Sequence, residues 1–379
     1  MLADLIGIDS VNPSLVPGGA GEQRIAEYVR KYLDSIGLST RLDEVSPGRP
    51  NVLGLLGASE GQGFDQQHAV MINGHLDTVG TSGMTPDPLK AVFEGDKVFG
   101  RGAVDMKGGL VMGLLALAAI RLSSVTLSRS VLFTGVVDEE YASIGTEDIA
   151  RRYHADAAVI LEPTNLGLCV AHKGFAWVSA EVFGHAAHGS NYQRGIDAIA
   201  NMGNLIVKVN QLGEKYLKEP GHPLVGPRSI HWSLIQGGNE LSTYPDYCRA
   251  QFERRTLPDE DPTHIVEEIK QICERLSLEN PDFQSKITLD FVRKGYEISK
   301  SEPIIRALAS QIESETGREP SFVGSGGWMD SAILGAAGTP TVLFGPSGEG
   351  AHATEEWVSL SSIMKGATIL AKTIVNFCR

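Results

Sequence analysis

Four separated stretches of this chain carry side chains able to bind cations or move protons. The first, Val70–Met71–Ile72–Asn73–Gly74–His75–Leu76–Asp77–Thr78, reads as an apolar strand that runs out onto a His-x-Asp step. Residues two apart on an extended strand share a face, so His75 and Asp77 point the same way. An imidazole that binds a metal through one nitrogen needs an acceptor on the other, and the Asp77 carboxylate could fix its tautomer and direction. Taken alone, the pair reads more readily as a surface histidine and a turn aspartate after a core strand. The second stretch, Gly102–Ala103–Val104–Asp105–Met106–Lys107–Gly108–Gly109, crowds glycines on both sides of Asp105. That suits a backbone passing close to something, but both the Walker phosphate-loop spacing and the dinucleotide fingerprint are absent. In the third, the apolar run Val131–Val137 leads into Asp138–Glu139–Glu140, three successive carboxylates that repel one another unless a cation neutralises them. In the fourth, Ala157–Leu161 is followed by Glu162, Pro163 and Thr164. In open α/β sheets, ligand-binding groups collect at the carboxyl ends of strands. Three strand ends and one glycine loop here carry imidazole or carboxylate.

The elements that must position these groups follow from the patterning. Apolar residues at Ile25, Val29, Leu33 and Ile36 predict a helix over Gly21–Leu38. Strands are expected at Ser39–Glu44 and Asn51–Leu56, a polar surface loop at Gly57–Gln67, a further loop from Gly80 to Pro88 and a helix at Leu110–Arg121. Strand–helix alternation in this half predicts an α/β fold with a mixed, largely parallel sheet flanked by helices. After His172–Lys173–Gly174 the character changes. Phe175–Phe183, a helix from Gly195 to about Lys215, strands at Ile230–Gln236 and Tyr247–Arg254, a helix at His264–Ser277 and a strand at Ile287–Arg293 give the order β-α-β-β-α-β. That is the ferredoxin-like split-βαβ sandwich. The first pattern resumes beyond Pro303, with a strand at Thr339–Leu343 and a helix at Ser359–Phe377. The expected organisation is therefore a discontinuous catalytic domain, 1–173 and 296–379, with an α+β domain inserted at 174–295.

Composition bounds the function. At 379 residues with 42% hydrophobic and 21% charged content, the chain is long enough for two or three cores. A formal net charge of −13, with no basic run, argues against nucleic acid or an anionic membrane surface as partner. Cys169, Cys248, Cys273 and Cys378 are widely spaced and form no CxxC pair, which fits a reduced, cytoplasmic setting. The N-terminal residues lack a signal-peptide pattern. The apolar run Leu110–Ile120 is short for a bilayer span and contains a glycine.

Taken in order, His75-x-Asp77, Gly102–Gly109, Asp138–Glu140, Glu162–Thr164 and Gly350–Ala351–His352 resemble the di-zinc amidohydrolase and peptidase family. That family contains acetylornithine deacetylase, succinyl-diaminopimelate desuccinylase, aminoacylases and glutamate carboxypeptidases. The resemblance spans essentially the whole chain. It implies that Asp105 bridges two zinc ions, with His75 and Glu162 completing one site and Glu140 and His352 the other. Cobalt and manganese suit the same ligands. It also implies that Asp77 orients His75 and that the Asp105–Met106 peptide is cis. Amide hydrolysis would then use a metal-bridging water with Glu139 as general base. The oxyanion donor would be His188, in Gly184–His185–Ala186–Ala187–His188–Gly189–Ser190, supplied by the inserted domain of the partner subunit of a homodimer.

For the substrate carboxylate the resemblance offers Arg255 as a bidentate clamp, and Gly326 and Gly327 as backbone donors. Arg254 reads as an outward-facing strand residue and Asp330 as structural. Ser242 stands where the family commonly has an asparagine. Family aminopeptidases and dipeptidases tend to have Asp at the position of Glu162, whereas deacylases and carboxypeptidases tend to have Glu. The resemblance thus points to an N-acyl amino acid, led by N-acetylornithine. A metallo-carboxypeptidase or dipeptidase is the alternative, and a non-catalytic binding or scaffold relative the remote one.

Overall fold

The computed structural model describes residues 1–57, 63–85 and 87–378. The middle of the polar stretch expected at Gly57–Gln67, and Pro86 in the loop from Gly80 to Pro88, lie outside the described residues. The chain divides into two compact units. The first comprises Met1–Val170, Ile298–Val323 and Met329–Arg379; the second comprises Ala171–Glu297 with Gly324–Trp328.

The first unit is built on a mixed sheet. Its strands lie in the order Ser39–Ser46, Arg49–Leu56, Val131–Val136, Gln67–His75, His154–Ile160, Thr341–Leu343 and Leu168–His172. From Val131–Val136 to Thr341–Leu343 the neighbours are parallel, and antiparallel pairs flank them on both sides. Strands covered on both faces read as continuous apolar runs. Val70, Met71 and Ile72, and likewise Val131, Leu132 and Phe133, are accordingly fully buried. Packed on the sheet is the helix Gly108–Arg121, with eleven of its residues buried. The stretch Ala103–Arg121 has the length and hydropathy of a membrane span, but 83% of that window is buried inside the fold, as in a core helix. Close approach requires Gly109, where an added Cβ would lie 1.9 Å from the Leu161 carbonyl oxygen. The start of this helix, and Asp105 just before it, are thereby held against the strand end that carries Glu162.

A second, small antiparallel sheet was not legible in the apolar pattern. It joins Gly348–Glu349, Trp357–Ser359, Lys97–Phe99 and Val92–Glu94, in that order. The pairing of Trp357 with Phe99 and Val358 with Val98 staples the segment leading to Asp105 onto the segment carrying His352. Strands of two or three residues carry too little periodicity to be seen, and this pairing spans some 260 positions.

The second unit has the β-α-β-β-α-β order, with sheet order Ser229–Gly237, Tyr247–Thr256, Gly174–Phe183 and Gln284–Arg293, all antiparallel. Ala176, Val178, Ala180, Val182, Cys248, Ala250 and Phe252 form one face of this sheet. They pack on Met202, Leu205 and Val209 of the helix Ala198–Lys218 and on Ile265 and Ile269 of the helix His264–Glu279. Each such large apolar side chain contributes roughly 1.5–3 kcal/mol when fully buried. Arg254 is in phase with this buried face and is only 1% exposed, paired with Glu260 and Glu268, which corrects its reading as an outward residue. A charge can face inward here because two carboxylates and the Tyr216 ring receive it. Gly324–Trp328 joins this unit because Lys173 donates its backbone N–H to the Ser325 carbonyl and Trp328 Nε1 donates to the Lys294 carbonyl.

Candidate active site

Five ligand-type side chains converge in the first unit. His75 is the last residue of its strand, Glu162 lies two residues beyond Ile160, and Glu139 and Glu140 follow Val131–Val136 through Asp138, whose φ of 70° turns the chain sharply. Asp105 sits in the tight turn Ala103–Lys107, and the Asp105–Met106 peptide is cis. His352 follows Gly350, which has φ +87°; a Cβ there would lie 1.9 Å from the Glu355 carbonyl, so the turn requires glycine.

Asp105 divides its two oxygens between two clusters. Its Oδ1 is 3.0 Å from His75 Nε2, which is itself 3.6 Å from Glu162 Oε1. Its Oδ2 is 3.3 Å from His352 Nε2, which is 2.9 Å from Glu140 Oε2. Within each cluster the ligand atoms lie within 4.8 Å of one another.

His75 Nδ1 donates to the Asp77 backbone carbonyl at 2.9 Å, whereas the Asp77 carboxylate is 3.6 Å away. The expected acceptor residue is therefore in place, but its main chain makes the hydrogen bond. The carboxylate instead accepts the backbone N–H groups of Glu139 and Glu140, at 3.2 and 3.1 Å, and Asn12 Nδ2 at 2.7 Å. Asp77 thus orients an imidazole with one group and fixes the Glu139–Glu140 turn with the other.

Of the three successive carboxylates, only two serve the site. Asp138 is turned onto Arg49, 2.9 Å from Nη2, and also accepts from Asn12. Arg49 pairs with the fully buried Glu22 as well. Asn12, Glu22 and Arg49 were missed in the sequence. Nothing in their local pattern announces that they meet Asp77 and Asp138 from positions far along the chain.

The electrostatics of the cluster call for cations. Burial, and then the neighbouring Asp105 charge, push Glu162 up to about 8 in the metal-free protein. Glu139 is driven well above the ordinary carboxylate range by burial, with Glu162, Asp330 and Glu140 adding to the rise against the pull of His75. Burial opposes ionisation of Asp105 too, but hydrogen bonds from His352 and His75 hold its carboxyl below the usual range. Glu140 Oε1 is buried with no hydrogen-bond partner. Imidazole and carboxylate donors with an orphaned carboxylate oxygen fit a pair of divalent cations such as zinc. Among the described residues, no donor is hydrogen-bonded to the Glu139 carboxylate, so it is free to take a proton. Asp330 is buried, accepts from Thr146 Oγ1 at 2.5 Å and is raised to about 6, chiefly by burial.

The remaining predicted residues belong to the second unit. His188 is exposed; its Nδ1 lies 2.8 Å from Ser190 Oγ, and it is bridged to Thr243. Gly189 donates its N–H to the Ser242 carbonyl at 2.7 Å, which sets the His188 turn beside the exposed Ser242. Arg255 donates from Nε to Glu253 at 2.7 Å and lies over the Phe175 ring. The Gly327 N–H is taken by Ser325 Oγ at 3.1 Å, leaving Gly326 the more open of the two glycines.

Residues 71–376 match peptidase family M20/M25/M40. An N-formyl-4-amino-5-aminomethyl-2-methylpyrimidine deformylase of Bacillus subtilis is 26% identical, covering 96% of this chain and 91% of its own length. An acetylornithine deacetylase of Buchnera aphidicola is 30% identical, covering 83% of this chain and 82% of its own. Among solved structures, aminopeptidase PepT from Bacillus cereus superimposes with a TM-score of 0.78 at 19% identity, covering 100% of this chain and 97% of its own, which shows the shared fold.

Proposed function

This chain belongs to peptidase family M20/M25/M40, and we propose that within that family of metallohydrolases it cleaves the amide bond of an N-acyl amino acid. The observation that carries the reading is the pair of ligand clusters sharing Asp105, with the Glu139 carboxylate, which accepts no hydrogen bond among the described residues, beside them. The names of the deacetylase and deformylase relatives support an acyl group leaving an amine. His75, Asp105 and Glu162 would hold one cation, and Asp105, Glu140 and His352 the other. When bound, such cations polarise an amide carbonyl and make water a stronger acid. Glu139 takes the proton from the attacking water and returns it to the departing amine nitrogen, so the C–N bond breaks with proton balance kept. Asp77 and Asn12 hold the Glu139–Glu140 turn while this happens. Arg255 is assigned to the substrate carboxylate.

The test is a panel of N-acetyl and N-formyl amino acids, acyl-glutamates and dipeptides, assayed with added zinc, cobalt or manganese. Turnover of N-acyl amino acids, N-acetylornithine among them, is the expected outcome. Turnover of dipeptides alone would move the assignment to a dipeptidase.

We assign the oxyanion donor to His188 of a second copy in a homodimer. His188→Ala should lower kcat by about 10²–10³, the usual loss of one such donor. Mixing inactive His188→Ala and Glu139→Gln proteins under conditions that exchange subunits should restore activity, because each hybrid dimer regains one intact site. No recovery in verified hybrid dimers would place the donor elsewhere.

A further inference from the structure

A buried carboxylate outside the ligand set accounts for how Asp105 is presented. Glu356 is 1% exposed and lies four residues beyond His352. Its Oε1 accepts the backbone N–H groups of Val104 and Asp105, at 2.9 and 3.1 Å. Its Oε2 accepts the Gly102 N–H at 2.9 Å and Arg101 Nη1 at 2.7 Å. Both oxygens are thus committed to the turn that carries the bridging aspartate. Arg101, itself buried, donates from Nη2 to the Ala353 carbonyl at 3.0 Å, and the Gly100 N–H is bonded to the Glu356 carbonyl. The pair therefore clamps the loop of Asp105 to the loop of His352. Every donor it satisfies would otherwise be a buried, unpaired group. The turn's backbone is non-helical at Asp105 and Met106, and the N–H groups of Val104 and Asp105 are satisfied from outside it, by Glu356.

We propose that Glu356 is a positioning residue for the metal centre: with Arg101 it fixes Asp105 and His352 relative to each other, and so sets the affinity of the cation they share. The inference rests on the proposed metal site. Groups that orient ligands from behind typically change metal affinity by about 10–100-fold.

The experiment is calorimetric titration of chelator-stripped protein with Zn²⁺, and with Co²⁺ followed by its visible absorption. Wild-type binding of two equivalents tests the site itself; failure there removes the metal reading and is distinguishable from failure of the Glu356 role. Given two equivalents, Glu356→Gln should bind one of them about 10–100-fold more weakly with an altered cobalt spectrum, and lower kcat more than it changes KM. The exposed neighbour, in Glu355→Gln, should behave as wild type. The double variant Arg101→Gln/Glu356→Gln removes both charges of the buried pair and guards against misfolding from an uncompensated one; once shown folded by circular dichroism, it should carry the same weakened affinity. Wild-type affinities and spectrum in either folded variant would overturn the proposal.

Discussion

Glu139→Gln should retain both metal equivalents and the fold while losing about 10²–10⁴ in kcat, the usual contribution of a general acid–base group. The argument is one of elimination inside the cluster. Asp105 spans both ligand clusters, and His75, Glu162, Glu140 and His352 complete them. Asp138 is occupied by Arg49 and Asn12, and Asp77 by the Glu139–Glu140 turn and Asn12. Glu139 is left outside both ligand clusters, with no hydrogen-bonded partner on its carboxylate among the described residues. Cations held by the neighbouring carboxylates would offset the charges that, after burial, raise Glu139, leaving it ionised and able to accept a proton near neutral pH. The amide of glutamine keeps the shape and cannot take the proton. Metal content by plasma spectrometry and kcat on the best substrate of the panel check the prediction. Near-normal turnover in Glu139→Gln would remove the base from its assigned role.

The parts of this site legible in the sequence are those fixed by local chain geometry. His75, Glu140 and Glu162 each follow an apolar strand, and Asp105 sits where glycines announce an unusual turn, so pattern and topology alone gathered them. His352 has only the two-residue strand Gly348–Glu349 just before it, too short to show in the pattern, and entered only through the family resemblance. The phase of Arg254 was readable, since Cys248, Ala250 and Phe252 precede it at alternating positions, but a charged residue does not reveal that Glu260 and Glu268 wait for it. The supporting contacts were invisible for a general reason. Asn12 to Asp138, Glu22 to Arg49 and Arg101 to Glu356 join residues between 27 and 255 positions apart. No periodicity encodes such pairings. They are selected by the fold, after the sheet has brought the strand ends together.

Stripping the protein with a chelator should abolish activity and leave a first unit that grows less stable as the pH rises from about 5 to 8. In the metal-free state Glu162 titrates at about 8 rather than 4.5, so the folded protein keeps a proton there that the unfolded chain has lost. The stabilisation from that group is fully present below 4.5 and vanishes as pH climbs through 8. His352, raised from 6.5 to about 10 by its hydrogen bonds to Asp105 and Glu140, has the same sign: its contribution is complete below 6.5 and is lost as pH rises through 10. Asp105 has the opposite sign, since its carboxyl is held low; its share is present above 3.8 and is lost only in acid. Lys107, which burial lowers to about 7, also pulls against Glu162 above that pH. Over the neutral range it is outweighed by Glu162 and His352, with Asp330, raised to about 6, on the same side. Divalent cations need these ligands deprotonated, so their binding strengthens over the same interval. At free metal 100-fold above Kd, each site adds about 2.7 kcal/mol. Two such sites would add about 5 kcal/mol, roughly 10–20 °C in the midpoint of a domain of this size. Scanning calorimetry of stripped and zinc-loaded protein should therefore give curves that diverge with rising pH, the loaded form staying high while the stripped form falls. Coincident midpoints at every pH would mean that the carboxylates gathered around Asp105 bind no cation, and the hydrolytic reading would lose its physical basis.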